Sequence, residues 1–112
     1  MTTTVANVRD LEWGDVFRDE RYAWVAREPA DRSWWEAERG FDGRFGNPSV
    51  VRFEKHRDMA IRSFERYFLR RVEIDPTFRG RVLSLRGKIL VCWCAPLPCH
   101  GDVIAAWVDA QP

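Results

Sequence analysis

Apolar residues recur along this chain with two different periods, and the switches between them mark out its elements. Three short stretches are β-prone. Thr2 to Arg9 (Thr-Thr-Thr-Val-Ala-Asn-Val-Arg) reads as a first strand with Arg9 at its carboxyl end. Arg21 to Arg27 (Arg-Tyr-Ala-Trp-Val-Ala-Arg) reads as a second, stopping before Pro29, and Ile89 to Cys94 as a third, buried one. Helical spacing takes over elsewhere. From His56 to Ile74, Ala60, Ile61, Phe64, Tyr67, Phe68 and Val72 repeat at three-and-four intervals with Arg and Glu between them. Asp75 then caps a further helix with Pro76 at its first position; Phe78, Val82 and Leu85 form its buried side and Gly87 ends it. Near the end, Val103, Ile104, Trp107 and Val108 suit one face of a last helix.

The remaining segments are punctuated differently. Leu11 to Asp15 reads as a loop or turn, and Asp31 to Gly40 as a short helix capped by Asp31 or Ser33. Phe41 to Pro48 is dense in Gly, Asn and Pro and is a loop, packed down by its aromatic neighbours. The order is strand, strand, long loop, helix, helix, strand, helix, with no repeat, low-complexity tract or linker. That order predicts one α/β domain over residues 1–112, with a small, mainly parallel sheet and flanking helices in a reduced Rossmann-like arrangement.

Composition narrows the function classes. A chain of 112 residues with 46% hydrophobic residues, six Trp and seven Phe builds one real core and is not disordered. Its net charge of +1 excludes a protein held on nucleic acid by bulk charge. Sixteen of its eighteen basic residues are Arg, so local recognition of phosphate or carboxylate is open, although a GC-rich genome gives the same bias. The longest apolar run, Ile89 to Leu97, is short and broken by Pro96, so no membrane span is expected. Met1 to Val5 lacks the pattern of a signal peptide. Three clustered cysteines staple nothing distant together, which fits reduced thiols in a cytoplasm.

Candidate chemistry concentrates in one place. All three cysteines and one of the two histidines lie between Cys92 and His100. Cys92 and Cys94, two apart on a strand, leave the same face, with Trp93 on the other. The two prolines of Ala95 to Pro98 form a stiff turn, after which Cys99, His100, Gly101 and Asp102 open a helix. Three readings compete. Cys92, Cys94, Cys99 and His100 are a tetrahedral zinc ligand set, at an unfamiliar C-x-C-x4-C-H spacing. Alternatively, Cys99 at a helix amino end is an activated thiol, with His100 and Asp102 moving protons. The bland reading is burial of small thiols, with Asp102 as a cap, and for Cys92 alone it is preferred. The Cys99-to-Asp102 turn is nonetheless a ready anion pocket.

Four further residues are candidates for substrate binding. Arg9 and Arg27 close strands, while Arg44 and Asn47 lie in the Gly-rich loop, and parallel strands would gather some of them on one rim. The Asn47 amide can read a base or carbonyl edge, though an Asn-Pro turn looks the same. Trp34 and Trp35 could stack on a planar ligand, but core packing is the better reading.

These residues carry a resemblance. Val5 to Arg9, Arg27, Phe45-Gly46-Asn47-Pro48 and Leu85-Arg86-Gly87-Lys88 through Asp102 resemble, in order, the defining pieces of a family of small phage and bacterial domains of unknown function. In that family the last piece reads Leu-x-Gly-Lys-x-Leu-x-Cys-Trp-Cys-x-Pro-x-Pro-Cys-His-Gly-Asp. The chain departs at Phe45, where Trp is usual, at Ser49, where Phe is usual, and at Ala26, where Gly precedes the Arg. The resemblance implies that Asn47, Cys92, Cys94, Cys99, His100 and Asp102 belong to the defining set, and it supplies no reaction. Occurrence in phages is similar to that of nucleotide- or DNA-modifying accessories, an association only.

Together these readings favour a small cytoplasmic enzyme or ligand-binding domain for a nucleotide, nucleobase or other phosphorylated ligand. Cys99, His100 and Asp102 would line the reacting end and Asn47, Arg9, Arg27 and Arg44 would bind. The competing class is a non-catalytic module, zinc-stabilised or not, that contacts a protein or nucleic acid.

Overall fold

The computed structural model describes residues 2–26, 44–48 and 54–112. Among these, three strands form one sheet: β1 (Thr4–Asn7), β2 (Tyr22–Trp24) and β3 (Ile89–Cys92), in the order β1-β3-β2. Both pairings are parallel, with Thr4 and Tyr22 each opposite Ile89 and Ala6 and Trp24 each opposite Val91. The strand formed last in the chain is therefore the central one. Its Ile-Leu-Val-Cys sequence suits that place, since a central parallel strand is covered on both faces.

Period-two alternation splits the core. Ala23, Val25, Leu90 and Cys92 face one side, against α2 (Arg57–Ile74), α3 (Pro76–Leu83) and α4 (His100–Ala110). Trp24, Ala26 and Val91 face the other, with Val8 and Val16, the latter on α1 (Trp13–Arg18). Helices thus cover both faces, and the expected small parallel α/β architecture holds. The first side is rich in rings: Phe64 stacks on Phe68 at 5.5 Å, and Phe68 meets Trp107 edge-on at 5.7 Å.

Local rules account for the element ends. Asp75 caps α3 by accepting from the Phe78 N–H at 3.0 Å, with Pro76 at the first position. The chain then turns, and Gly87, with φ at 77°, delivers it to β3 in a conformation that side chains disfavour. Arg86 closes the far end of α4, its guanidinium donating to the carbonyls of Val108 and Gln111.

Several boundaries differ from expectation. The first strand stops at Asn7, whose side chain caps a 3-10 turn over Val8–Asp10, so Arg9 lies beyond the strand instead of closing it. Trp13-Gly14-Asp15 begins helix α1, not a loop. The third strand ends at Cys92, because the backbone turns at Trp93 toward the prolines. The expectations for Arg27 and for Asp31 to Gly40, including Trp34 and Trp35, lie outside the described residues.

Candidate functional site

The carboxyl ends of the three strands meet the amino end of α4 at one corner, the position where open parallel sheets place ligands. The connection from Cys92 to Cys99 passes through a cis Ala95–Pro96 peptide and is pinned from β1. The Asn7 amide donates to the carbonyls of Trp93 at 3.1 Å and Ala95 at 2.8 Å, while its oxygen accepts from the Arg9 N–H. Nothing in the spacing of the cysteines pointed to Asn7; the available signal was a polar residue closing an apolar strand.

Cys99 is the amino-terminal cap of α4. Its sulfur accepts from the Gly101 N–H at 3.4 Å, and the Asp102 carboxylate reaches back to the Cys99 N–H at 2.9 Å, which completes a capping box. The helix sits close to the sheet at Gly101. A β-carbon there would lie 3.4 Å from both Val25 Cγ2 and Val5 Cγ1. That approach places His100 beneath β2, with its Nε2 2.5 Å from the Val25 carbonyl oxygen. Because a carbonyl only accepts, Nε2 carries the proton. In the neutral ring Nδ1 is then an acceptor, and it faces Cys99 Sγ at 3.6 Å. Phe64 closes the ring in edge-on at 4.9 Å.

The two buried thiols interact. The Cys99 S–H donates to Cys92 Sγ, which also accepts from the backbone N–H groups of Ala95 and Cys94. Three donors outweigh burial and hold the Cys92 thiol down to about 6. Cys99 moves the other way. Its proton is committed to Cys92 and its burial disfavours charge, so its thiol is pushed up, despite the Gly101 N–H. The helix amino end favours a Cys99 thiolate, but burial and the contact with Cys92 oppose it, and Cys92 is the thiol held low. Both sulfurs are nearly inaccessible, at 1% and 2% exposure. Cys94, half-buried, is the outermost thiol and contacts the Arg57 guanidinium.

Arg57 is a second residue that sequence reading missed. It opens α2, its side chain is 13% exposed, and it donates to the Pro98 carbonyl at 3.2 Å and to Glu54 Oε2 at 2.9 Å. Glu54 and then Cys94 raise its already high pKa, so it stays a fixed cation at the mouth of the thiol turn. On the other face of β3, Trp93 is exposed, packs edge-on against Trp24 at 6.0 Å and lies under the Arg9 guanidinium at 6.0 Å.

The expected site residues are thus partly gathered. Cys92, Cys94, Cys99, His100 and Asp102 share the corner, and Arg9 stands on the adjoining rim. Asn47 does not point there: its amide donates to the Ala60 carbonyl in the first turns of α2. Arg44 lines a groove on α3 instead. The zinc arrangement is not formed. Among the described residues no group of three or more His, Cys, Asp or Glu is set to hold a metal ion. One ring nitrogen of His100 is spent on Val25 and the other faces Cys99, while Cys94 turns to Arg57. No described helix is long and apolar enough to cross a membrane.

Residues 3–110 match a family described as "Domain of unknown function (DUF4326)". The chain is also 38% identical over 67 residues, 60% of its length, to an "Uncharacterized 12.4 kDa protein in nrdA-td intergenic region" of Enterobacteria phage T4. The match spans 62% of that phage protein. No solved structure matches the chain.

Proposed function

The chain belongs to the DUF4326 family, and since membership brings no activity with it, we propose from the geometry that the protein binds and acts on a small anionic ligand of the nucleotide or phosphorylated-metabolite class. The reading rests on one observation: a buried line of polar groups at the carboxyl end of the central strand, running from the Val25 carbonyl to the His100 ring, Cys99 and the Cys92 sulfur. Cys92, held as the thiolate, is the nucleophile in this proposal; Cys99 keeps its own proton and donates it to that thiolate, and His100, anchored on the Val25 carbonyl, positions Cys99. Asp102 fixes the amino end of α4. Arg57 takes the place first assigned to Arg44 in contacting the anion, with Arg9 beside it, and Trp93 offers a ring for a planar base. Unpaired thiols suit a reducing compartment such as the cytoplasm.

A second reading is favoured by a different observation. Cys92, Cys99 and His100 are all buried, and among the described residues no buried side-chain nitrogen or oxygen lacks a partner. A corner so satisfied also serves as a polar staple in a non-catalytic binding module. Alkylation of Cys94→Ser protein against pH separates the two. The enzymatic reading expects one thiol, lost in a further Cys92→Ser change, to react with a midpoint near 6. If the folded protein shows only thiols reacting above about 8.5, the nucleophile is excluded and the binding module stands. A thermal-shift screen against mononucleotides tests the ligand: none raising the melting temperature would remove that class.

A further inference from the structure

A groove of about 490 Å³ runs along the outer face of α3, lined by Arg44, Pro76, Thr77, Gly80, Arg81 and Ser84. None of these residues belongs to the thiol corner. We infer that this groove is a second binding site, taking the terminal phosphate of a small phosphorylated ligand.

Two guanidiniums from separate parts of the chain border the groove. Arg81 is exposed on α3. Arg44 is carried there by Phe45, which is buried and packs against Phe78 of α3 at 6.2 Å, so the wall opposite the helix is anchored in the core. Thr77, Gly80, Arg81 and Ser84 recur at three-and-four spacing, on the face opposite the buried Phe78 and Val82. The Thr77 hydroxyl stands one turn before Arg81, while that of Ser84, one turn after, donates to the Arg81 carbonyl at 2.6 Å.

Backbone polarity adds to this arrangement. In the first turn of α3, Pro76 has no N–H, Phe78 gives its own to the Asp75 carboxylate, and Arg79 gives its own to the Asp75 carbonyl. The Thr77 N–H is the first-turn donor left over, and Thr77 lines the groove. Asp75, the acid that precedes α3, is engaged by Phe78 and lies 3.8 Å from Arg71. The floor is Gly80. A β-carbon there would meet nothing within 4 Å, so no packing demand explains a glycine inside a helix, where it weakens the helix. Its bareness lets a ligand lie against the helix backbone. The volume suits a ligand of mononucleotide size, and paired Arg with hydroxyl and N–H donors is the chemistry that recognises a phosphate dianion.

The test uses the full chain and inorganic phosphate, with chloride at matched ionic strength. Phosphate should raise the melting temperature and shift the backbone amide resonances of Thr77, Gly80 and Arg81, whereas chloride should not. Arg44→Ala with Arg81→Ala should abolish the shifts at Thr77, Gly80 and Arg81, and Arg57→Ala should leave them intact, which separates this site from the anion contacts of the thiol corner. Gly80→Ala should keep the fold, since nothing obstructs the added methyl, yet weaken the phosphate-dependent shifts severalfold. Equal responses to chloride, or resonance shifts at Thr77, Gly80 and Arg81 that survive loss of both arginines, would overturn the inference.

Discussion

At Cys92 and Cys99 two chemically identical side chains are driven in opposite directions by which of them donates. This has a signed consequence for stability. Cys92 titrates near 6 when folded, against about 8.5 in an unfolded chain. Between those values the unfolded state holds a proton that the folded state has released, so stability rises with pH across that window and the gain is lost as pH falls through 6. Cys99 is raised, so above the unfolded value only the unfolded chain releases its proton, and stability declines there. Wild-type protein should therefore gain stability over Cys92→Ser from pH 6 to about 8.5, as measured by urea midpoints. His100 makes a second prediction at this scale. Replacing it with Leu strands the Val25 carbonyl in the core and should cost about 1–3 kcal/mol, read in the same titration.

The elements differ in how much their sequence discloses. The long period-3.6 run of α2 was legible to within one residue, because Ala60, Phe64, Phe68 and Val72 are the positions that end up buried. The cap and proline of α3 were as clear. Helix α1 was not: six residues are too few for a period to repeat, and Gly14 read as a turn. The strand-turn-helix corner was legible as a cluster, but the donor and acceptor roles within it were not, since they depend on Val25, Asn7 and Arg57, all remote in sequence. The α4 cap allows a measurement. Asp102→Ala removes half of the capping box and should cost about 0.5–2 kcal/mol in equilibrium unfolding. Gly80→Ala should act oppositely, stabilising the ligand-free protein by about 0.5–1 kcal/mol, because the added methyl meets nothing.

Across the whole molecule, α4 holds the two outer strands together through one close approach. Gly101 lies against Val5 of the first strand region and Val25 just after the second. Gly101→Val has no room beyond its β-carbon and should cost about 1–3 kcal/mol, detectable as a lowered melting temperature. The amino-terminal segment is tied to the same helix at its other end, where the Thr3 hydroxyl donates to the Asp109 carboxylate at 2.6 Å and accepts from the Gly87 N–H. Helix α4 thus spans the sheet from rim to base and touches all three strands' surroundings.

The placement of β3 between two strands made far earlier bears on biosynthesis. As the polypeptide leaves the ribosome, β1 and β2 emerge well before β3, the described strand with which each pairs, and both wait through the whole of α2 and α3 for it. Among the described strands, the nascent protein therefore has no paired sheet until β3 arrives. Its thiol corner, which follows directly on β3, comes into being in the same event that joins the three strands.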